Sequence, residues 1–270
     1  MVSPDLNFIF ENAAAGRTDS NPPDRIMGAG ILEEGRARER STQRIVALFK
    51  IKICGVNTLK DAQLVGLAGA DAVGLNFYEE SPRHVDIETA QKLVGVLRPA
   101  VKRVGLFVNS TADEINRVAE QLQLDYVQLH GDEPPELLAD LTERPILRAF
   151  RVGEGGADEI ARFLEGCGGG RRPDAILMDA LKPGKYGGTG EVADWDAVSN
   201  AKPILGEIPL VLAGGLTPFN VADAIAKVRP DAVDTASGVE GRPGNKDPML
   251  VRAFVNAAKK AFQQRESAEN

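Results

Sequence analysis

The sequence predicts an α/β fold: a single (β/α)₈ TIM barrel preceded by a disordered N-terminal extension. Three observations carry that expectation. From Phe49 onward, short β-rich runs alternate with amphipathic stretches. Eight such runs fit within roughly 220 residues, which is the arithmetic of a (β/α)₈ barrel. Several runs are apolar on one face and carry polar groups on the other, as strands do when one face packs on helices and the other lines a barrel. A doubly wound sheet is the competing architecture. It has fewer units and a phosphate loop after its first strand, and Cys54-Gly55-Val56-Asn57 lacks that glycine spacing.

The β-rich runs are Phe49–Cys54, Asp71–Phe77, Arg103–Val108, Tyr126–His130, Ile146–Val152, Ala175–Asp179, Leu210–Gly214 and Ala232–Ser237. Leu59, Ala62, Val65 and Leu67 set the apolar face of the first helix. Ala119, Leu122 and Leu124 close the third. Val221, Ala224, Ile225 and Val228 mark the seventh, with Asp223, Lys227 and Arg229 on its wet side. Helix starts are expected at Thr58 with Asp61, at Asp86, at Thr111 with Glu114, and at Thr217 before Pro218. Residues 1–46 hold no sustained period. Pro22-Pro23 and Arg36-Ala37-Arg38-Glu39-Arg40 fit a disordered extension ahead of a catalytic domain over 47–265. A second reading starts the protein further on, at Met27.

The chain has 270 residues, 43% apolar and 26% charged, enough for one large domain with a sizeable core or for two small ones. A net charge of -7 argues against a nucleic-acid or anionic-membrane surface. An anionic small molecule stays open, because local donors decide that. Cys54 and Cys167 make no disulfide framework, so a reducing cytoplasm is expected. No apolar stretch approaches the roughly 18 residues of a membrane span. The start lacks the basic-then-apolar order of a secretory signal.

Strand parity turns Lys52 and Cys54 inward against Ile51 and Ile53, and Gln128 and His130 inward against Val127 and Leu129. Asp234 turns inward against Val233, and Leu177 and Asp179 against Ile176 and Met178. Buried charges need partners, and Lys52, Arg148 and Asp234 are expected to form an interior network. Cys54 ends its strand on the side where barrels do chemistry. A free buried cysteine is commonly inert, but a cation beside it favours the thiolate, which acts as base or nucleophile. Cys167, in a glycine-rich loop, reads as structural. Asp179 ends its strand in the same way, as an acid or as a brace for its loop. Arg83, stiffened by Pro82, reads as a carboxylate clamp or a solvated arginine. Gln128 and His130 serve either the site or the core. The glycines at 183–190 read as a lid or close-approach loop. Gly214-Gly215 and Ser237-Gly238 follow the last two strands, where barrels bind phosphate.

These segments together resemble the phosphoribosylanthranilate isomerase family. The resemblance runs from Phe49 to Ala261. It includes Lys-Ile-Cys-Gly at 52–55, Gly-Ala-Asp-Ala-Val-Gly-Leu at 69–75, Phe-Tyr at 77–78 with Ser-Pro-Arg at 81–83, and Val-Gly-Leu-Phe-Val-Asn at 104–109. It continues with Val-Gln-Leu-His-Gly-Asp-Glu at 127–133, Leu-Met-Asp-Ala at 177–180 and Gly-Gly-Thr-Gly at 187–190. It ends with Leu-Ala-Gly-Gly-Leu-Thr-Pro at 212–218 and Ser-Gly-Val-Glu at 237–240. The resemblance implies an Amadori rearrangement of N-(5-phosphoribosyl)anthranilate in tryptophan biosynthesis, with Cys54 as general base and Asp179 as general acid. It implies Arg83 as the carboxylate clamp, Gly214, Gly215, Ser237 and Gly238 as phosphate loops, and Gln128, His130 and Asp234 near the substrate. It also implies no metal and no organic cofactor, a small substrate carrying a phosphate and a carboxylate, and a monomer or homodimer. His84 stands where the family often has tyrosine, and Glu191-Val192-Ala193 departs from the usual residue types.

Overall fold

The computed structural model describes residues 48–152, 156–180 and 194–269. The extension expected over 1–46, the glycine-rich stretch 183–190 and Glu191-Val192-Ala193 lie outside the described residues.

The chain alternates strand and helix from its first described element. The first half runs β1 (Ile51–Cys54), α1 (Leu59–Ala68), β2 (Ala72–Asn76), α2 (Ile87–Val96), β3 (Lys102–Phe107), α3 (Ala112–Gln121), β4 (Tyr126–Leu129) and α4 (Leu137–Asp140). The second half runs β5 (Ile146–Arg151), α5 (Gly156–Gly166), β6 (Ala175–Asp179), α6 (Trp195–Ala201), β7 (Leu210–Ala213), α7 (Val221–Val228), β8 (Ala232–Thr235) and α8 (Pro248–Glu269). The eight strands form a closed barrel in sequence order. Each neighbouring pair is parallel, and β8 returns to β1 with Asp234 opposite Lys52. Between β8 and α8 lie a 3₁₀ turn at Ser237–Val239 and a hairpin of β9 (Glu240–Arg242) with β10 (Asn245–Lys246). Among the described residues no helix is long and apolar enough to cross a membrane.

Two apolar layers hold the barrel. Ile51, Ile53, Val73, Leu75, Val127, Leu129, Ile176, Met178 and Val233 face out and bury against the helices. Phe49, Ala72, Val104, Tyr126, Leu147, Ala149, Leu177 and Val211 fill the interior. The alternation places Lys52, Gln128 and Asp234 inward, as their apolar neighbours require. Most expected runs overshoot their strands by a residue or two, while Ala175–Asp179 coincides with β6 and β3 begins one residue earlier than expected, at Lys102. Phe49 precedes β1, yet its ring packs edge-on to Tyr126 at 5.6 Å within the interior cluster.

The caps follow the sequence at three sites. Thr58 accepts from the Asp61 N–H, Asp86 from the Thr89 N–H, and Thr111 with Glu114 forms a full capping box. At Thr217 the expectation misses. Helix α7 begins at Val221, because Thr217-Pro218-Phe219 is first spent on a turn in which the Thr217 N–H donates to Asn220 Oδ1. Helix α1 differs too. Leu67 is 71% exposed and Leu59 46%, and the core face is Ala62, Leu64 and Val65 instead. At about 100° per residue, Leu67 stands across the helix from Val65.

Arg148 corrects the interior network. Its strand neighbours Leu147 and Ala149 face in, so Arg148 faces out. Its Nη1 donates to the carbonyls of Gly131 and Ala149 at 3.0 Å each and to Glu133 Oε2 at 3.2 Å. The guanidinium lies over the Phe150 and Phe163 rings, with centroids at 4.8 and 5.1 Å. Lys52 and Asp234 form the interior pair without it.

Candidate active site

The expected site residues gather where strands end at one mouth of the barrel. Cys54 ends β1 and is 6% exposed. It lies level with Gly74 of β2. A Cβ at Gly74 would stand 2.6 Å from Cys54 Sγ, so the missing side chain is what gives the thiol its space. One pleat below, Lys52 is fully buried and donates from Nζ to Asp234 Oδ2 at 2.9 Å. Asp234 Oδ1 and Gln128 Oε1 are buried with no hydrogen-bond partner among the described residues. Buried acceptors rarely go unmatched, and a hydroxyl-bearing ligand would satisfy both.

Burial pushes the Cys54 thiol above its ordinary value. Lys52 and Lys246 pull it down, Asp234 pushes it up, and burial prevails. Burial alone would lower Lys52, but Asp234 and Cys54 together raise it, so it stays an ammonium. The cation beside Cys54 is therefore already matched by Asp234, and the thiol is the resting form.

Arg83 lies in the loop after β2. Gly55, at φ +69°, clears its stem: a Cβ there would meet Arg83 Cδ at 2.4 Å. Its Nε and Nη2 donate to the two oxygens of Glu240 at 2.8 and 2.7 Å. Glu240 also accepts from Lys246 Nζ at 2.7 Å. Glu240 closes the Ser-Gly-Val-Glu segment at 237–240, yet no local pattern in the sequence points to Arg83 as its partner or to Lys246. Gln128 Nε2 lies 2.7 Å from His130 Nδ1. Burial first, then Lys52, Arg151 and Arg148, lower His130 to about 4, so the ring is neutral near pH 7.

Asp179 ends β6 and is partly buried, with Arg151 and Ala213 opposite it in register. Around the closed sheet, β7 and β8 separate it from β1. The turns after those two strands are pressed together. Gly214 and Gly215 take positive φ, at 87° and 63°. A Cβ at Gly238 would stand 1.8 Å from the Leu216 carbonyl oxygen, which also accepts from Thr235 Oγ1 at 2.7 Å. Ser237 opens the 3₁₀ turn beside them. Cys167 lies elsewhere, buried at the end of α5 in the outer cluster. Among the described residues no group of three His, Cys, Asp or Glu is placed to hold a metal.

Comparison with known proteins bears on this arrangement. The family model described as N-(5'phosphoribosyl)anthranilate (PRA) isomerase matches residues 51–257. An N-(5'-phosphoribosyl)anthranilate isomerase from Citrifermentans bemidjiense is 48% identical over 213 residues, covering 79% of this chain and 98% of that protein. The crystal structure of phosphoribosyl anthranilate isomerase from Thermotoga maritima superposes with a TM-score of 0.70 at 39% identity, covering 79% of this chain and all of that one. A crystal structure of the isomerase in complex with reduced 1-(o-carboxyphenylamino)-1-deoxyribulose 5-phosphate superposes with a TM-score of 0.66 at 38% identity, with the same coverage.

Proposed function

The chain belongs to the N-(5'-phosphoribosyl)anthranilate isomerase family, enzymes that interconvert an aldose and a ketose, and on that premise we propose how its residues divide the work. The reaction is the Amadori rearrangement of N-(5-phosphoribosyl)anthranilate to 1-(2-carboxyphenylamino)-1-deoxyribulose 5-phosphate, a step of tryptophan biosynthesis. Asp179 gives a proton to the ribose ring oxygen, and the bond from that oxygen to C1 breaks. The nitrogen lone pair forms the new C1=N bond, so the open chain carries a protonated imine to the anthranilate ring, which acidifies the hydrogen on C2. Cys54, as thiolate, removes that proton to leave a neutral enolamine, which becomes the ketose as C1 gains a proton and the C2 hydroxyl loses one.

The remaining residues bind and orient. Arg83 holds the anthranilate carboxylate. The turns at Gly214-Gly215 and Ser237-Gly238 present backbone N–H groups to the phosphate. Asp234 Oδ1 and Gln128 Oε1 accept from sugar hydroxyls. With the Gln128 amide donating to Nδ1, neutral His130 keeps its proton on Nε2 and offers it to the substrate. Clamps at both ends of the molecule fix the sugar between base and acid. No metal or organic cofactor enters this scheme. Catalysis is assigned to residues 47–265 and none of it to 1–46. Every residue with a role comes from one chain, so a monomer and a homodimer serve the chemistry alike. Both thiols are free, which suits a reducing cytoplasm.

The observation that carries this reading is the buried thiol at the end of β1, with a glycine clearing its space and an ion pair beneath it. The test follows loss of substrate fluorescence with Cys54→Ala and Asp179→Asn. Each is expected to lower kcat by about 10²–10⁴ while Tm stays close to wild type. A Cys54→Ala protein that turns over normally would remove the assigned base.

A further inference from the structure

Arg83 does not stand alone at the mouth of the barrel. Glu240 takes the Nε–Nη2 edge of its guanidinium with both oxygens, at 2.8 and 2.7 Å. No other hydrogen bond to the guanidinium occurs among the described residues, so the Nη1–Nη2 edge is left over. A planar guanidinium held along one edge has its other edge fixed in direction. Glu240 is itself held, because Lys246 Nζ donates to Oε1 at 2.7 Å and to the Ala236 carbonyl at 2.9 Å. The Glu240 side chain is 3% exposed, that of Lys246 fully buried, and that of Arg83 22% exposed. Only the arginine end of the chain meets the open mouth.

Charge explains why a third member is needed. A lone Arg83–Glu240 pair would be neutral and a poor receptor for another carboxylate. With Lys246 the triad holds two cations and one anion. The surplus positive charge lies at its exposed end. Backbone packing fixes the triad from two sides. Gly55 clears the arginine stem. Gly244, at φ +80°, brings the β9–β10 turn against the arginine loop, where a Cβ would meet the Pro82 carbonyl oxygen at 2.9 Å.

We propose that Glu240 and Lys246 are positioning residues for the carboxylate clamp: Glu240 sets the plane of the Arg83 guanidinium, and Lys246 offsets the charge of Glu240 so that the free guanidinium edge receives the aryl carboxylate. This rests on the reading of Arg83 given above. The triad sets specificity for a substrate with an acidic group on its aromatic ring.

Two probes separate these roles: the reduced product analogue with its ring carboxylate, and the same compound built from aniline and lacking it. The readout is the ratio of their competitive inhibition constants in Arg83→Met, Glu240→Gln and Lys246→Met. In both Glu240→Gln and Lys246→Met the preference for the carboxylated probe is expected to fall by about tenfold or more. KM should rise, with kcat changed by less than about threefold in Glu240→Gln; Lys246→Met also removes a cation that holds the Cys54 thiol down, so for it the inhibition ratio alone is the readout. Partial misfolding lowers the active fraction for both probes alike and leaves the ratio unmoved, so it cannot mimic this result. If Arg83→Met loses the preference while Glu240→Gln and Lys246→Met keep it, the clamp stands and the proposal falls. If Arg83→Met keeps the preference, the clamp reading itself fails and the proposal goes with it.

Discussion

At Cys54, burial and charge pull in opposite directions. Burial raises the thiol, and the two lysines on its flanks only partly offset that. A base works in its deprotonated form, so raising its pKa moves the acid limb of the pH–rate profile upward. The limb of kcat/KM, which reports the free enzyme, is therefore expected at or above the ordinary thiol range, with activity climbing as pH rises through it. In Cys54→Asp the same limb should move down by several pH units, because a carboxylate titrates far lower. A limb that stays in place in Cys54→Asp would mean that another group sets it. Gly74 belongs to the same account, since the space it leaves decides that a sulfur fits there at all.

Among elements, β4 and β5 are tied at their catalytic ends by Arg148 and Glu133. Glu133 accepts from the N–H groups of Asn109 and Gly131, and Arg148 bonds the Leu129 and Gly131 carbonyls on either side of His130. Removing the arginine leaves a carboxylate whose side chain is 1% exposed without its cation. Arg148→Met is expected to cost about 3–5 kcal/mol in chemical denaturation, and adding Glu133→Gln should recover part of it. A loss under about 1 kcal/mol would show the pair to be dispensable. The same strand marks the limit of sequence reading. Parity could be read in β1, where lysine and cysteine alternate with isoleucine. It could not be read in Ile146-Leu147-Arg148-Ala149-Phe150, because a strand buried on both faces is apolar on both. The Arg83–Glu240 pair was hidden for another reason. Its partners stand 157 residues apart, and no local pattern joins them. The strand-end positions of Cys54 and Asp179 were legible because a β-run that stops is a local event.

For the whole molecule, the described fold is accounted for from Leu48 onward. The family match begins at Ile51, and the 48%-identical relative is covered over 98% of its length by 213 residues. Deletion of residues 1–46 is therefore expected to leave kcat/KM within about twofold of the full chain. A larger loss, measured in the same fluorescence assay, would give the extension a part in the site.

The barrel closes where β8 meets β1, and the lysine–aspartate bond beneath the thiol joins residues 182 positions apart. That separation has a temporal side. During synthesis at about 5–20 residues per second, Lys52 is joined to the chain roughly nine to thirty-six seconds before Asp234. The hairpin that completes the Arg83 triad is made later still. A nascent chain therefore carries Lys52 and Arg83 before their partners Asp234 and Glu240 have been made. A polypeptide that ends before Lys246 lacks the third member of the Arg83–Glu240–Lys246 triad.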